Sequence, residues 1–170
     1  MYLAGKKLYL SGPIEHDNTD HNWRTEPKKV LTNEFGINVF DPFDDPKQVW
    51  GPTLNKAREE RDYDTMTRIA RAFVRKDLFE VDNSHMLIAN IPYKLATTGT
   101  CHEIINSNNA KKIVILVCEQ GKEKIPAWYF GFVPHESMFG SWNEVYDYLR
   151  EVDAGKHKHN DRWSVVYGMV

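Results

Sequence analysis

Apolar positions along the chain follow two periods, and the change from one to the other marks its elements. Met86 to Ile91 (MLIANI) and Lys112 to Cys118 (KIVILVC) are short, nearly continuous apolar runs, the pattern of strands buried on both faces. Between them, YKLATTGTCHEIINSNNAKK reads as a loop followed by a helix. Strand, helix, strand is a βαβ unit and implies parallel pairing. Upstream, Lys7 to Ser11 (KLYLS) is a strand that runs into Gly12-Pro13, and Ile37 to Phe40 (INVF) is another that stops at Asp41-Pro42. A helix is expected from about Asp64 to Asn83, because Met66, Ile69, Ala70, Phe73, Val74, Leu78 and Val81 recur at spacings of three and four. WRTEPKKVLTNEFG, after a polar start at residues 16 to 22, is a second helix, with Trp23, Val30, Leu31 and Phe35 on its apolar side and Gly36 ending it. SWNEVYDYLREVDAG is a third, with Ser141 as cap, Glu144 three residues on and Gly155 at the end. Residues 46 to 62 read as a polar loop, and WSVVYGMV as a terminal strand or interface segment. The pattern predicts one α/β domain over residues 1–170 with a parallel sheet of about five strands.

Composition narrows the class. A chain of 170 residues with 41% hydrophobic positions fits one soluble domain with a core of useful size. A net charge of -2 supplies no global positive field for a nucleic acid polymer. Cys101 and Cys118 are too few for a disulfide framework and form no CxxC pair, which suits a reducing, cytoplasmic setting. No apolar run is long enough to span a membrane, and the N-terminus lacks the pattern of a signal peptide.

The candidate chemistry gathers where strands end. In open α/β sheets ligands sit beyond the carboxyl ends of the strands, and TTGT, the loop after the first long apolar run, delivers Glu103 to the start of a helix. Glu103 has two readings: the far half of a capping box with Thr100 as N-cap, or a catalytic carboxylate facing a cleft, kept ionised by the helix start. Asp77 falls within the apolar stripe of its helix, where a carboxylate is costly unless paired. Its alternative is a structural partner for Arg75, Lys76 or a backbone amide. Tyr9 shares a face of its strand with Ser11, and the Gly12-Pro13 turn lets backbone approach a ligand. Asp41, Asp44 and Asp45 read as turn-forming acids beside prolines rather than a metal site. Trp50 is either a lid or a rim residue on the core. Trp128, Tyr129, Phe130 and Phe132 form a core or interface cluster.

Tyr9-Leu-Ser-Gly-Pro-Ile14, then Asp77-Leu78 followed by VDNSHMLIAN, then Gly99-Thr100-x-x-Glu103-Ile104 resemble, in order and separation, the nucleoside 2-deoxyribosyltransferase superfamily, which includes the 2'-deoxynucleoside 5'-phosphate N-hydrolases. The likeness spans about residues 7 to 119. It implies a flavodoxin-like or Rossmann-like three-layer fold and cleavage of a nucleoside N-glycosidic bond, with no cofactor and no metal. It implies Glu103 as nucleophile, Asp77 as the acid that protonates the departing base, and Tyr9 as an orienting group. Ser11, Gly12, Pro13, Thr97, Thr98, Gly99 and Thr100 would line the substrate. The chemistry agrees with the residues, since a base leaves poorly unless protonated and the developing oxocarbenium ion needs an anion. Burial should raise the pKa of Asp77, and the helix start should keep Glu103 ionised. The sequence departs from the family at Thr97, where transferases carry an acid that binds sugar hydroxyls; the phosphate-accepting hydrolases have a small hydroxyl residue there. No Asn matches the residue by which a neighbouring subunit completes the site in this family, although assembly into a homo-oligomer is expected. Three readings stay open: an enzyme acting on a (deoxy)nucleoside or its 5'-monophosphate and passing the sugar to a base or to water; a 5'-phosphate N-hydrolase only; and a nucleotide binder without chemistry.

Overall fold

β3 (Met86–Asn90) and β4 (Ile113–Val117) lie side by side at the centre of a parallel sheet and are buried at every position, which is why each reads as an unbroken apolar run. The computed structural model describes residues 1–14, 21–95 and 97–169; residues 16 to 20 of the expected polar stretch lie outside them. β1 (Lys7–Ser11) pairs with β3 on one side and with β2 (Asn38–Phe40) on the other. β5 (Met138–Phe139) closes the far edge against β4. All four pairings are parallel, and the order is β2-β1-β3-β4-β5.

Two helical layers cover the sheet. α1 (Thr25–Asn33) and α5 (Trp142–Asp153) bring Leu31, Val145, Leu149 and Val152 against Leu8, Leu10, Ile88 and Ile115 on one face. α3 (Tyr63–Asp82) and α4 (Thr98–Asn109) bring Val81 and Ile104 against Tyr9, Leu87, Ala89 and Leu116 on the other. This is a three-layer α/β sandwich with flavodoxin-like strand order. The alternation along β1 has a consequence for chemistry. Leu8 and Leu10 fill the α1/α5 side, so Tyr9 and Ser11 must face α3 and α4.

Several expectations change. Residues 46–62 are mostly helical: a 3-10 turn (Pro46–Trp50) leads into α2 (Gly51–Glu60). Only Leu54 and Ala57 of α2 are buried, too thin an apolar stripe to read by periodicity; prolines start both segments, where a missing N–H costs nothing. The C-terminal segment is a 3-10 turn (Asp161–Trp163) and a short α6 (Ser164–Tyr167), not a strand. Its apolar residues divide: Trp163 is 1% exposed and donates from Nε1 to the Tyr148 hydroxyl at 3.0 Å, and Val166 is 3% exposed, while Val165 and Met169 are exposed. The aromatic group after β4 divides. Tyr129 is buried with Phe132 packed against it, while Trp128 and Phe130 are exposed. Ser141 does cap α5, accepting from the Glu144 amide at 3.3 Å, and the Glu144 carboxylate accepts from the Gly140 amide at 2.7 Å. Among the described residues no helix is long and apolar enough to cross a membrane.

Candidate active site

The chain turns from β1 to β2 on one side and then crosses to β3 on the other, so the junction of β1 and β3 is the topological switch point of the sheet. Adjacent connections leave in opposite directions there and open a crevice at the carboxyl ends. Ser11 ends β1, and the segment after β3 leads into α4, which carries Glu103.

Glu103 reaches across that junction. Its Oε1 accepts a hydrogen bond from the Tyr9 hydroxyl at 2.8 Å, and its Oε2 accepts a short one from the Ser11 hydroxyl. Its carboxyl group therefore does not fold back on its own helix. α4 begins one turn earlier than a Thr100 cap requires: Thr97 is the N-cap and Thr98 the first helical residue, which puts Glu103 in the second turn. The capping box is not formed. The expected ionisation also changes. Glu103 is 8% exposed, and burial pushes its carboxyl up to about 7, against the hydrogen bonds from Ser11 and Tyr9 that favour the charged form. Desolvation outweighs the helix start because the dipole acts mainly within the first turn.

Asp77 shares this environment. Burial raises its pKa, while Lys47 and Tyr9 pull it back. Its carboxylate pairs with the Lys47 ammonium, which the 3-10 turn before α2 delivers; Asp45 caps that turn by accepting from the Lys47 amide at 2.9 Å. The expected partners Arg75 and Lys76 are not the ones used: Lys76 bonds Glu80 at 2.6 Å. Tyr9, fully buried and stacked on Phe40 at 5.6 Å, is raised far above the usual phenol range, first by burial and then by the charges of Glu103 and Asp77. Tyr9 is thus a neutral donor set between two carboxyls.

The other candidates separate. Ser11 joins the carboxyl directly. Gly12 gives its carbonyl to Arg24 at 2.9 Å, and its α-carbon lies so close to the Trp23 ring that a Cβ would come within 2.5 Å of it. Pro13 is buried. Thr97 makes no capping bond with its side chain, Thr98 and Gly99 are exposed, and Thr100 is buried. No hydrogen bond joins the side chains of Thr97, Thr98 or Thr100 to Glu103 among the described residues. Trp50 is 52% exposed at the end of the Lys47 turn.

Three residues of the site carry no motif in the sequence. Lys47 sits in what reads as a loop. Arg24 and Asp41 form a buried ion pair at 2.8 Å, and Asp41 also accepts from the Lys28 ammonium at 3.3 Å and the Phe43 amide at 3.0 Å. The aspartate beside Pro42 thus holds a cation from another segment as well as shaping its own turn. An Arg one residue after a Trp, at the start of an amphipathic helix, was the available signal.

The arrangement defines a class: a flavodoxin-like α/β protein with a buried carboxyl, Glu103, a half-buried one, Asp77, and a buried tyrosine at the β1/β3 switch point. No family model matches the chain, and no curated protein matches it. Among solved structures, it is similar to the 2-deoxyribosyltransferase of the psychrotolerant bacterium Bacillus psychrosaccharolyticus, described as a biocatalyst for synthesis of antiviral and antitumoral nucleosides. The two share 18% identity over 82% of this chain and 89% of that one, with a TM-score of 0.53. The likeness is one of fold.

Proposed function

We propose that the protein is an enzyme of the nucleoside 2-deoxyribosyltransferase kind, one domain over residues 1–170, that cleaves the N-glycosidic bond of a (deoxy)nucleoside or its 5'-monophosphate. The observation that carries this reading is the Glu103 carboxyl, turned away from its own helix onto Tyr9 and Ser11, with Asp77 close enough to raise its pKa by charge. The shared fold and the three sequence motifs agree with it.

In this reading an ionised Glu103 oxygen attacks C1' as the C1'–N bond breaks. Asp77 gives its proton to the departing base, which leaves neutral, and the sugar stays esterified to Glu103. Asp77, now a carboxylate, takes a proton from the acceptor, water or the nitrogen of a second base, as that atom attacks C1' and frees Glu103. Tyr9 and Ser11 orient the nucleophile and stabilise its charge. No step calls for a metal or cofactor. Small-molecule nucleosides or nucleotides are the partners, and a cytoplasmic homo-oligomer is the working form.

A narrower reading, hydrolysis of 5'-monophosphates only, draws on Thr97. It stands where transferases carry an acid, its side chain does not cap α4, and the first amides of the helix lie next to it. Incubation with deoxynucleosides and with their 5'-monophosphates, with and without an acceptor base, separates the two. New nucleoside formed with the acceptor marks a transferase. Free base from monophosphates alone marks the hydrolase. Tight nucleotide binding with no base release marks a binder and contradicts both.

A further inference from the structure

Ser11 meets Glu103 from the last position of β1. Both flanking carbonyls are gripped by one side chain: Arg24 donates from Nη1 to the Leu10 carbonyl at 3.0 Å and from Nη2 to the Gly12 carbonyl at 2.9 Å. The same guanidinium donates to Asp41 Oδ1 at 2.8 Å, and Trp23 lies over it, 4.4 Å from ring centroid to guanidinium carbon. Arg24 is 2% exposed and Asp41 6%. A buried cation costs folding free energy unless paired; here Nη1 and Nη2 are paired while the buried Nε has no partner among the described residues, and a fork bridging two carbonyls of one strand end is a demanding way to pair it.

We infer, taking Glu103 as the reacting carboxyl, that Arg24 is a positioning residue: braced by Asp41, its guanidinium fixes the Leu10–Gly12 backbone so that the Ser11 hydroxyl points at Glu103. Arg24 does not touch substrate in this scheme. It acts through Ser11. A lysine keeps the charge but lacks the planar fork that reaches two carbonyls at once, so Arg24→Lys separates positioning from charge. The groups facing Glu103 are Tyr9 and Ser11 from β1, Asp77 from α3 and Lys47 from the turn before α2; Arg24, paired with Asp41, comes from the segment leading into α1.

The test is the titration of the Glu103 side-chain carboxyl, followed by carbon-13 NMR and assigned by its disappearance in Glu103→Gln, alongside the pH profile of kcat/KM for base release. Losing the Ser11 hydrogen bond removes a group that favours the ionised form. Ser11→Ala and Arg24→Lys are each expected to move the Glu103 midpoint, and the acid limb of the profile, upward by about one pH unit. The double variant is expected to move no further than Ser11→Ala alone, because both changes break one link. Arg24→Met should match, and where it does not fold, Arg24→Lys decides. A Glu103 midpoint unmoved in Arg24→Lys, an equal loss of activity at every pH, or additive shifts in the double variant would overturn the inference. The NMR titration needs no turnover, so a wild-type protein that releases no base would sink the proposed function while leaving this assignment to be decided separately.

Discussion

Tyr9 and Glu103 stand 94 positions apart in the chain and meet in a buried hydrogen bond of 2.8 Å. The phenol can only donate here. Burial and the two carboxyls hold its proton in place across any accessible pH, so Tyr9 stabilises the charged form of Glu103 without competing for its role. Tyr9→Phe removes that donor and leaves the packing on Phe40. The expected result is a kcat/KM lower by about 10- to 100-fold at pH 7, the value of one hydrogen bond to a charged group. The loss should shrink as pH rises, because higher pH ionises Glu103 without help. Rates of base release across pH check this; a loss independent of pH would mean that Tyr9 serves the substrate instead.

Glu103 also writes a pH dependence into stability. The unfolded chain ionises this carboxyl near its ordinary value of 4.5, and the folded chain near 7. Between those values the folded state holds the extra proton, so stability falls as pH rises through the window and is flat from this group on either side. The size is on the order of 3 kcal/mol. Glu103→Gln removes the buried charge. It should resemble the wild type in urea unfolding near pH 4.5 and exceed it above pH 7, with activity gone. Equal stability above pH 7 would place Glu103 in a wetter setting than its 8% exposure implies.

Lys47 acts on both carboxyls. It pairs with Asp77 and lowers the pKa of Glu103 as well. Lys47→Met keeps most of the stem and removes the charge, so both acids become harder to ionise. The whole pH profile of base release should move to higher pH, and Lys47→Arg should restore much of its position. An unmoved profile would make the Lys47–Asp77 pair a surface clamp with no part in the chemistry.

Gly12 is required for space, since its missing side chain admits the Trp23 ring. Gly12→Ala should displace the strand end that carries Ser11, costing about 1–3 kcal/mol of stability and a larger share of activity. Thermal unfolding and kcat/KM measured together check it; loss of stability with full activity would separate the turn from the site.

The central strands were legible because burial on both faces leaves a continuous apolar run, and the Asp77 helix because seven apolar positions repeat at helical spacing. The location of Glu103 followed from strand-end logic and from the family likeness. Its orientation did not, because a helix start offers a carboxylate two directions and only the face of β1 decides between them. Lys47 was invisible: α2 and the turn before it bury little, so nothing periodic marks them. Arg24 and Asp41 were hidden for another reason. Their pairing joins two segments through a buried contact; alone, Arg24 looks like an ordinary surface charge and Asp41 like a turn-forming acid beside Pro42.

The central claim is a sugar carried on Glu103. Protein mixed with a deoxynucleoside or its 5'-monophosphate, quenched in acid during turnover and digested, tests it by peptide mass spectrometry. The account predicts that the peptide containing Glu103 gains the mass of one deoxyribosyl group (or its 5'-phosphate), and that Glu103→Gln shows no such gain. Turnover with an unmodified Glu103 peptide, or with the adduct on another residue, would contradict it.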